Sequence, residues 1–378
     1  MDSRTVFFLL AFGLIIALVV TVVYGINKDY FDTKNYLKAT RILQGKAAFS
    51  PEDEEMNLRG RFLRPLQLAL NSLEPIPLEK WFYFLNVIFF LSAGLCVYGI
   101  TLLLFEDRAL SLFSGILFFS SAIAIQFSLT LLTEAGTYFF YALGILVALF
   151  YYKKHPESKK LAFASALIFG LGVLMKESAG IGIVLLLMLV LFSKNSRSFN
   201  FFKSGSLGRI VFAAALLAVF LVPTLIAQAL VFFSLNYTYI DYVHFQLTSD
   251  LIVKPMFTLP RFLIAFLVSF TILIPGFLYA FLAKARNKKE IALPICMAAV
   301  GLLPILMYLT VYDRLVFMLF PIAIPFGLLG TQLFLKRHFP AQEKIFLMIF
   351  IILFIALNIA GFVLYRNLAI SGAVAKMF

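Results

Sequence analysis

Long apolar runs, separated by short charged stretches, follow one another along most of the chain. A membrane-spanning helix needs about 20 apolar residues and satisfies its own backbone hydrogen bonds, which suits these runs. The pattern predicts about eleven spans, with roughly nine to twelve acceptable. The two short runs at 161–175 and 179–192 are also compatible with a hairpin of half-length helices. The predicted spans are 5–26, 81–105, 109–127, 132–152, 161–175, 179–192, 210–233, 262–282, 291–311, 315–335 and 345–365.

The composition points to the same class of protein. Hydrophobic residues make up 62% of the chain and charged residues 13%, against about half and about a quarter in soluble domains. A transmembrane β-barrel would show short alternating strands instead of these long runs. The two cysteines lie within apolar runs, which argues against a disulfide framework or a metal cluster. We therefore predict an all-α polytopic membrane protein, with residues 1–378 forming a single transmembrane domain in the lipid bilayer.

The positive charge is distributed between the apolar runs. The net charge is +13, but the basic residues do not form one patch, so a nucleic-acid partner is not expected. Alternate connections are rich in lysine and arginine, which by the positive-inside rule places them and the N-terminus in the cytoplasm. Residues 27–80 then form a long first extracytoplasmic loop. Most acidic residues fall on this outer side, so we expect the active site to be extracytoplasmic.

The first outer loop begins with a pattern that predicts juxtamembrane helices. Tyr36, Ala39, Ile42 and Leu43 recur at spacings of three and four, as on one face of a helix that lies along the membrane surface. Asp32 stands just before this helix, where its whole role could be to cap the helix N-terminus. Gly45 follows it, where a glycine commonly ends a helix.

These residues resemble the segment after the first transmembrane helix in the GT-C class of glycosyltransferases that use polyprenyl-phosphate sugars. Protein mannosyltransferases and lipid A aminoarabinose transferases belong to this class. The chain differs in having no C-terminal soluble domain after the last predicted span, and it lacks the Trp-Trp-Asp signature of oligosaccharyltransferases. Further stretches resemble the family in the same order: Arg64-Pro65-Leu66, Thr133-Glu134-Ala135, the turn from Gly172 to Ser178, and Asp313-Arg314-Leu315.

The resemblance implies a GT-C-like fold and an inverting transfer of a sugar to a hydroxyl acceptor on a lipid, glycan or protein. A carboxylate must take the proton of the attacking hydroxyl, and Asp32 is the first candidate, with Asp29 second. The departing phosphate needs fixed cations. Candidates for this role are Lys176 and Arg314, followed by Arg61 and Arg64. Candidates for substrate contact are Glu134, Tyr36, Glu177 and His244.

Each candidate also has a purely structural interpretation. Lys176 and Glu177 could form a solvated turn, Arg314 could anchor to lipid headgroups, and Glu134 could favour a helix N-terminus. His244 lies in a tyrosine-rich loop typical of an interfacial aromatic belt. No cofactor is required, although a divalent ion is possible, with Glu134 as one ligand. The alternative functions are a transporter or lipid flippase, which predicts inverted repeats and charges within spans, and a noncatalytic membrane subunit.

Overall fold

The computed structural model describes residues 3–26, 31–48, 56–192, 207–248, 255–270, 272–285, 288–307 and 313–370. The regular elements in these ranges are helices, which confirms the all-α prediction. Short 3₁₀ helices occur at Glu177–Gly182, Asp313–Leu319 and Pro340–Gln342. The α-helices are α1 (Ser3–Tyr24), α2 (Phe31–Leu43), α3 (Met56–Phe62), α4 (Pro65–Ser72), α5 (Leu78–Phe105), α6 (Arg108–Ser120), α7 (Ala122–Ser128), α8 (Glu134–Lys154), α9 (Lys159–Val173), α10 (Ile183–Phe192), α11 (Leu207–Leu235), α12 (Tyr239–Thr248), α13 (Pro255–Phe270), α14 (Leu273–Ala285), α15 (Lys288–Met307), α16 (Phe320–His338) and α17 (Glu343–Ile370).

Several helices are suited to crossing a membrane. In the described ranges, 6 are long and apolar enough, and 8 spans result if each of two bent helix pairs counts as one. The chain is therefore an integral multi-pass membrane protein, while the predicted count of about eleven spans is not confirmed. The region 161–192 forms two short helices, α9 and α10, joined by the 3₁₀ helix Glu177–Gly182, as in the half-length alternative.

Two predicted straight spans are bent. The run 109–127 divides into α6 and α7, which meet at 56°, and the run 262–282 divides with a bend of 77°. At the first bend Ser121 has an extended backbone, with φ −66° and ψ 128°. Its neighbour Ser120 turns its hydroxyl back onto the carbonyl of Ile116. Serine side chains compete in this way with the regular backbone pattern, and they often bend helices.

The chain divides into two compact units. Unit 1 comprises Met1–Val20, Phe90–Phe127 and Lys254–Phe378. Within it, α14 and α16 cross where Gly276 faces Gly327 and Gly330, and a Cβ on any of these glycines would collide with the opposite helix. Such small residues allow membrane helices to approach closely.

Unit 2 comprises Thr21–Phe89 and Ser128–Val253 and contains nearly all the predicted site residues.

The helix predicted after the first span is present as α2, and its end matches the prediction. The N–H of Gly45 donates to the carbonyl of Ile42, and the N–H of Lys46 donates to that of Arg41. Gly45 has φ +68°, as the C′ residue of a Schellman motif requires.

The surroundings of α2 differ from the prediction in two respects. The helix already begins at Phe31, so Asp32 lies in its first turn and not before it. Its buried side contains Thr33, Tyr36 and Ala39, whereas Leu43 is 51% exposed. The helix packs against α3 and α4, and Arg61 of α3 and Arg64, directly before α4, offer polar partners to Asp32 and Tyr36. Its apolar spacing could not reveal these neighbours.

Candidate functional site

The first candidate base, Asp32, forms an ion pair with Arg61 of α3. The Nη2 atom of Arg61 donates to Oδ1 of Asp32 at 2.6 Å, with side-chain exposures of 5% for Arg61 and 23% for Asp32. Arg61 is therefore enclosed by protein, while its carboxylate partner still reaches the surface. Asp32 is the more accessible member of this pair.

Tyr36 lies between two arginines. Its hydroxyl oxygen accepts a hydrogen bond from Nη1 of Arg64 at 2.5 Å and a longer one from Nη1 of Arg61 at 3.4 Å. The guanidinium of Arg61 also lies 4.9 Å from the centre of the Tyr36 ring, which is a favourable cation–π distance. The Thr133 hydroxyl stands 3.4 Å from the same phenol oxygen. One buried tyrosine thus holds both guanidinium groups in place.

Arg64 pairs with Glu177, which follows α9 much later in the chain. The Nη2 atom of Arg64 lies 3.3 Å from each carboxylate oxygen of Glu177. Burial by itself lowers the pKa of Arg64, but the charge of Glu177 and the contacts with Tyr36 hold that pKa well above its ordinary value. The pKa of Arg61 is also raised, because Tyr36 and Asp32 outweigh the effect of burial. Both groups are therefore permanent positive charges.

A third ion pair, between Lys176 and Glu134, is buried more completely. The Nζ atom of Lys176 lies 2.6 Å from Oε1 of Glu134, and the side chains are 6% and 1% exposed. Glu134 is the first residue of α8. Lys176 is extended, with φ −168° and ψ 141°, directly before the 3₁₀ helix. This placement is incompatible with the solvated turn considered for Lys176.

The turn that leads to Glu134 is fixed by a residue that sequence reasoning missed. Asn86 of α5 is fully buried. Its amide donates to the carbonyls of Thr130 and Leu132, at 2.5 and 2.8 Å. The hydroxyl of Thr33 donates to the carbonyl of Leu131. Asn86 interrupts the otherwise apolar run 81–105, and a polar residue within a span is itself a signal of function.

Helix α12 contributes aromatic side chains near the arginines. The ring of Tyr242 packs directly on Gly60, where an added Cβ would stand 2.5 Å from it. Burial raises the pKa of Tyr242, and the nearby charges of Arg64 and Arg61 oppose that shift. The helix starts with reciprocal bonds between Thr238 and Asp241, a capping box. His244 is exposed on the same helix.

Seven of the ten predicted site residues come together within unit 2. Five form one network and the other two form an adjoining ion pair. The network comprises Asp32, Tyr36, Arg61, Arg64 and Glu177, and Thr133 connects it to the turn before the Glu134–Lys176 pair. Arg314 belongs to unit 1, where its side chain is half-buried. Asp29 and the acidic run at 52–55 lie outside the described residues.

These features define an all-α polytopic membrane protein. The chain is similar to solved structures of the Archaeoglobus fulgidus oligosaccharyltransferase. The apo form matches with a TM-score of 0.56 and 12% identity over 94% of this chain and 55% of that one. The form tethered through a disulfide bond to an acceptor peptide containing the NVT sequon matches with a TM-score of 0.55 and 12% identity, over 95% and 55%. The chain thus spans about half the length of these structures. No family model and no curated protein sequence matches it.

Proposed function

We propose that this protein is a GT-C-type glycosyltransferase that moves a sugar from a polyprenyl-phosphate donor to a hydroxyl acceptor on the extracytoplasmic side. One observation carries the proposal: Asp32, Arg61, Tyr36, Arg64 and Glu177 converge in a single network in a fold of this class. Burying charge is costly, so buried charged groups that converge from separate parts of a chain are a candidate functional site.

Asp32 is the proposed general base. The donor carries its own phosphate leaving group, so the protein needs to remove a proton from the acceptor and to stabilise the phosphate. Asp32 is the more exposed partner of its ion pair, and it accepts the proton as the hydroxyl oxygen attacks the anomeric carbon. The bond from that carbon to the phosphate oxygen breaks on the opposite side, which inverts the anomeric centre. Arg61 orients the carboxylate.

Arg64 is the first candidate for the leaving phosphate. It is a fixed positive charge with a forked donor geometry that suits phosphate oxygens. Lys176 is tied to Glu134 in a buried pair, so we place it after Arg64 and Arg61. Arg314 belongs to unit 1, and its phosphate role stays a prediction from the sequence. We propose that His244, which is exposed, contacts substrate, as the resemblance implies. Glu134 is buried in its pair with Lys176, so we propose that it positions Lys176 and does not touch substrate itself.

The test must separate the loss of a base from the loss of an ion pair. Asp32→Asn removes the proton acceptor, but it also leaves the buried Arg61 without its carboxylate. The double variant Asp32→Asn, Arg61→Gln removes both charges. We expect each to transfer sugar about 100- to 10,000-fold more slowly than the wild type, because neither has a base. The proposal fails if the double variant regains wild-type turnover.

Asp107→Asn is the matched control. Asp107 caps α6 by accepting from the N–H groups of Ala109 and Leu110, and asparagine caps almost equally well. This variant should transfer sugar normally. The acceptor panel should include a lipid, a glycan and a peptide with an Asn-x-Thr sequon, because an acceptor peptide of that kind is present in a structural neighbour. Movement of labelled lipid across the bilayer with no transfer to any acceptor would favour the flippase alternative.

A further inference from the structure

We propose that Glu177 is an exchangeable internal anion, which occupies on Arg64 the place that a phosphate group of the ligand takes. The inference rests on the proposed phosphate role of Arg64. Its test measures phosphate binding alone, so it can fail or succeed independently of sugar transfer.

The three ion pairs of the site are not equivalent. Asp32–Arg61 and Glu134–Lys176 have short contacts, both 2.6 Å, whereas Arg64 meets Glu177 at 3.3 Å. The side chains of Glu177 and Asp32 are similarly exposed, at 25% and 23%, against 1% for Glu134. A longer contact to a partly exposed carboxylate is weaker than a short, buried one. The pair of Arg64 with Glu177 is therefore the easiest one to exchange.

The Arg64 side chain is held in place, whereas Glu177 stands at the start of a short 3₁₀ helix. The Arg64 side chain is 8% exposed, its Nη1 is held by Tyr36, and its backbone precedes Pro65, which restricts it further. Glu177 is the first residue of a six-residue 3₁₀ helix and follows an extended residue. Rotation of its side chain would move the carboxylate away from Arg64 without moving a helix.

The balance of charges around Arg64 favours the exchange of Glu177 for a phosphate. Arg61 and Arg64 both contact the Tyr36 hydroxyl, and each already faces one carboxylate. A phosphate added to this arrangement would meet the negative charge of Glu177 at close range. A phosphate that replaces Glu177 instead meets the forked donors of Arg64, which bind carboxylate and phosphate in the same two-pronged manner. The Glu177 carboxylate thus stands in for the phosphate when the site is empty.

The experiment measures the binding of farnesyl phosphate, a short polyprenyl monophosphate, to the full-length chain in detergent by calorimetry. Glu177→Gln keeps the size of the side chain and removes its charge. We expect it to bind farnesyl phosphate about fivefold more tightly, the factor that corresponds to losing a competing ion pair at the upper end of the range for partly exposed pairs. The gain should disappear when Arg64 is also replaced by Gln.

Glu74→Gln is the matched control, because it removes the same charge from an ion pair with Lys46 in the same unit. It should bind farnesyl phosphate like the wild type, and farnesol should show no gain with any variant. Inorganic phosphate with the same gain identifies the phosphate group alone as sufficient, and a gain confined to farnesyl phosphate identifies a lipid-borne ligand. If Glu177→Gln does not fold, Glu177→Asp, with a shorter reach, should show a smaller gain.

Unchanged or weaker binding in Glu177→Gln overturns the proposal. An equal gain in Glu74→Gln also overturns it, since the effect would then come from overall charge. Tighter binding of farnesyl phosphate without sugar transfer would support the exchange while counting against the proposed enzyme.

Discussion

The buried pair of Lys176 and Glu134 allows a quantitative test of the structure. Lys176→Met keeps a long, flexible side chain but removes the charge that faces Glu134. The Glu134 carboxylate is 1% exposed, so water cannot replace the lost partner. Removing one member of such a pair typically costs about 3–5 kcal/mol, because the other charge remains buried and uncompensated.

A second variant separates the cost of an unpaired buried charge from the cost of lost packing. Replacing both residues, as Glu134→Leu with Lys176→Met, leaves no buried charge. Replacement of a buried pair by apolar residues of similar volume is often neutral. We therefore expect the free energy of unfolding of the double variant to lie within about 1 kcal/mol of the wild-type value. This recovery requires that the two side chains face each other as described.

The assay is unfolding by sodium dodecyl sulfate in mixed micelles, followed by circular dichroism of the full-length chain. The free energy of unfolding should fall most in Lys176→Met and return towards the wild-type value in the double variant. Additive losses in the two single variants, or a loss below about 1 kcal/mol in Lys176→Met, would contradict the buried pairing.

Three further predictions concern other parts of unit 2 and the sidedness of the chain. Asn86→Leu should lower the free energy of unfolding by about 1–3 kcal/mol for each carbonyl left unpaired. A smaller loss in the same micelle assay would contradict the hydrogen bonds from Asn86 to the turn before Glu134. Gly60→Val should displace Tyr242 and increase protease cleavage near α12, whereas unchanged cleavage would place that ring elsewhere. A cysteine at Ser50 should react with a membrane-impermeant reagent added outside cells and one at Ser158 should not, and reversed labelling would place the site in the cytosol.

The sequence was informative about helices and less so about their neighbours. The periodicity after the first span predicted α2, and Gly45 predicted its end, because both signals are local. The bend at Ser121 was not predicted, since the apolar run 109–127 continues through it. Composition cannot show that a span is broken when the broken part is still apolar and buried in protein.

The candidate site shows the same limit. Charges near the ends of apolar runs identified Asp32, Arg64 and Lys176 as candidates, but not their partners. Arg64 and Glu177 are separated by 113 positions and Lys176 and Glu134 by 42, so only the folded chain joins them. The sequence therefore favours Lys176 and Arg314 over Arg64 for phosphate, although the partner of Lys176, Glu134, is only 1% exposed. Asn86 was missed because it carries no charge.

The central claim is that the chain transfers a sugar from a polyprenyl phosphate with Asp32 as the base. The most direct measurement incubates the purified full-length chain in liposomes with a panel of isotopically labelled polyprenyl-phosphate sugars and hydroxyl acceptors. Nuclear magnetic resonance then identifies the product and its anomeric configuration. The account predicts an acceptor-linked sugar of inverted configuration, formed about 100-fold or more slowly by Asp32→Asn. A product of retained configuration, or an Asp32→Asn variant that transfers sugar at the wild-type rate, would contradict it.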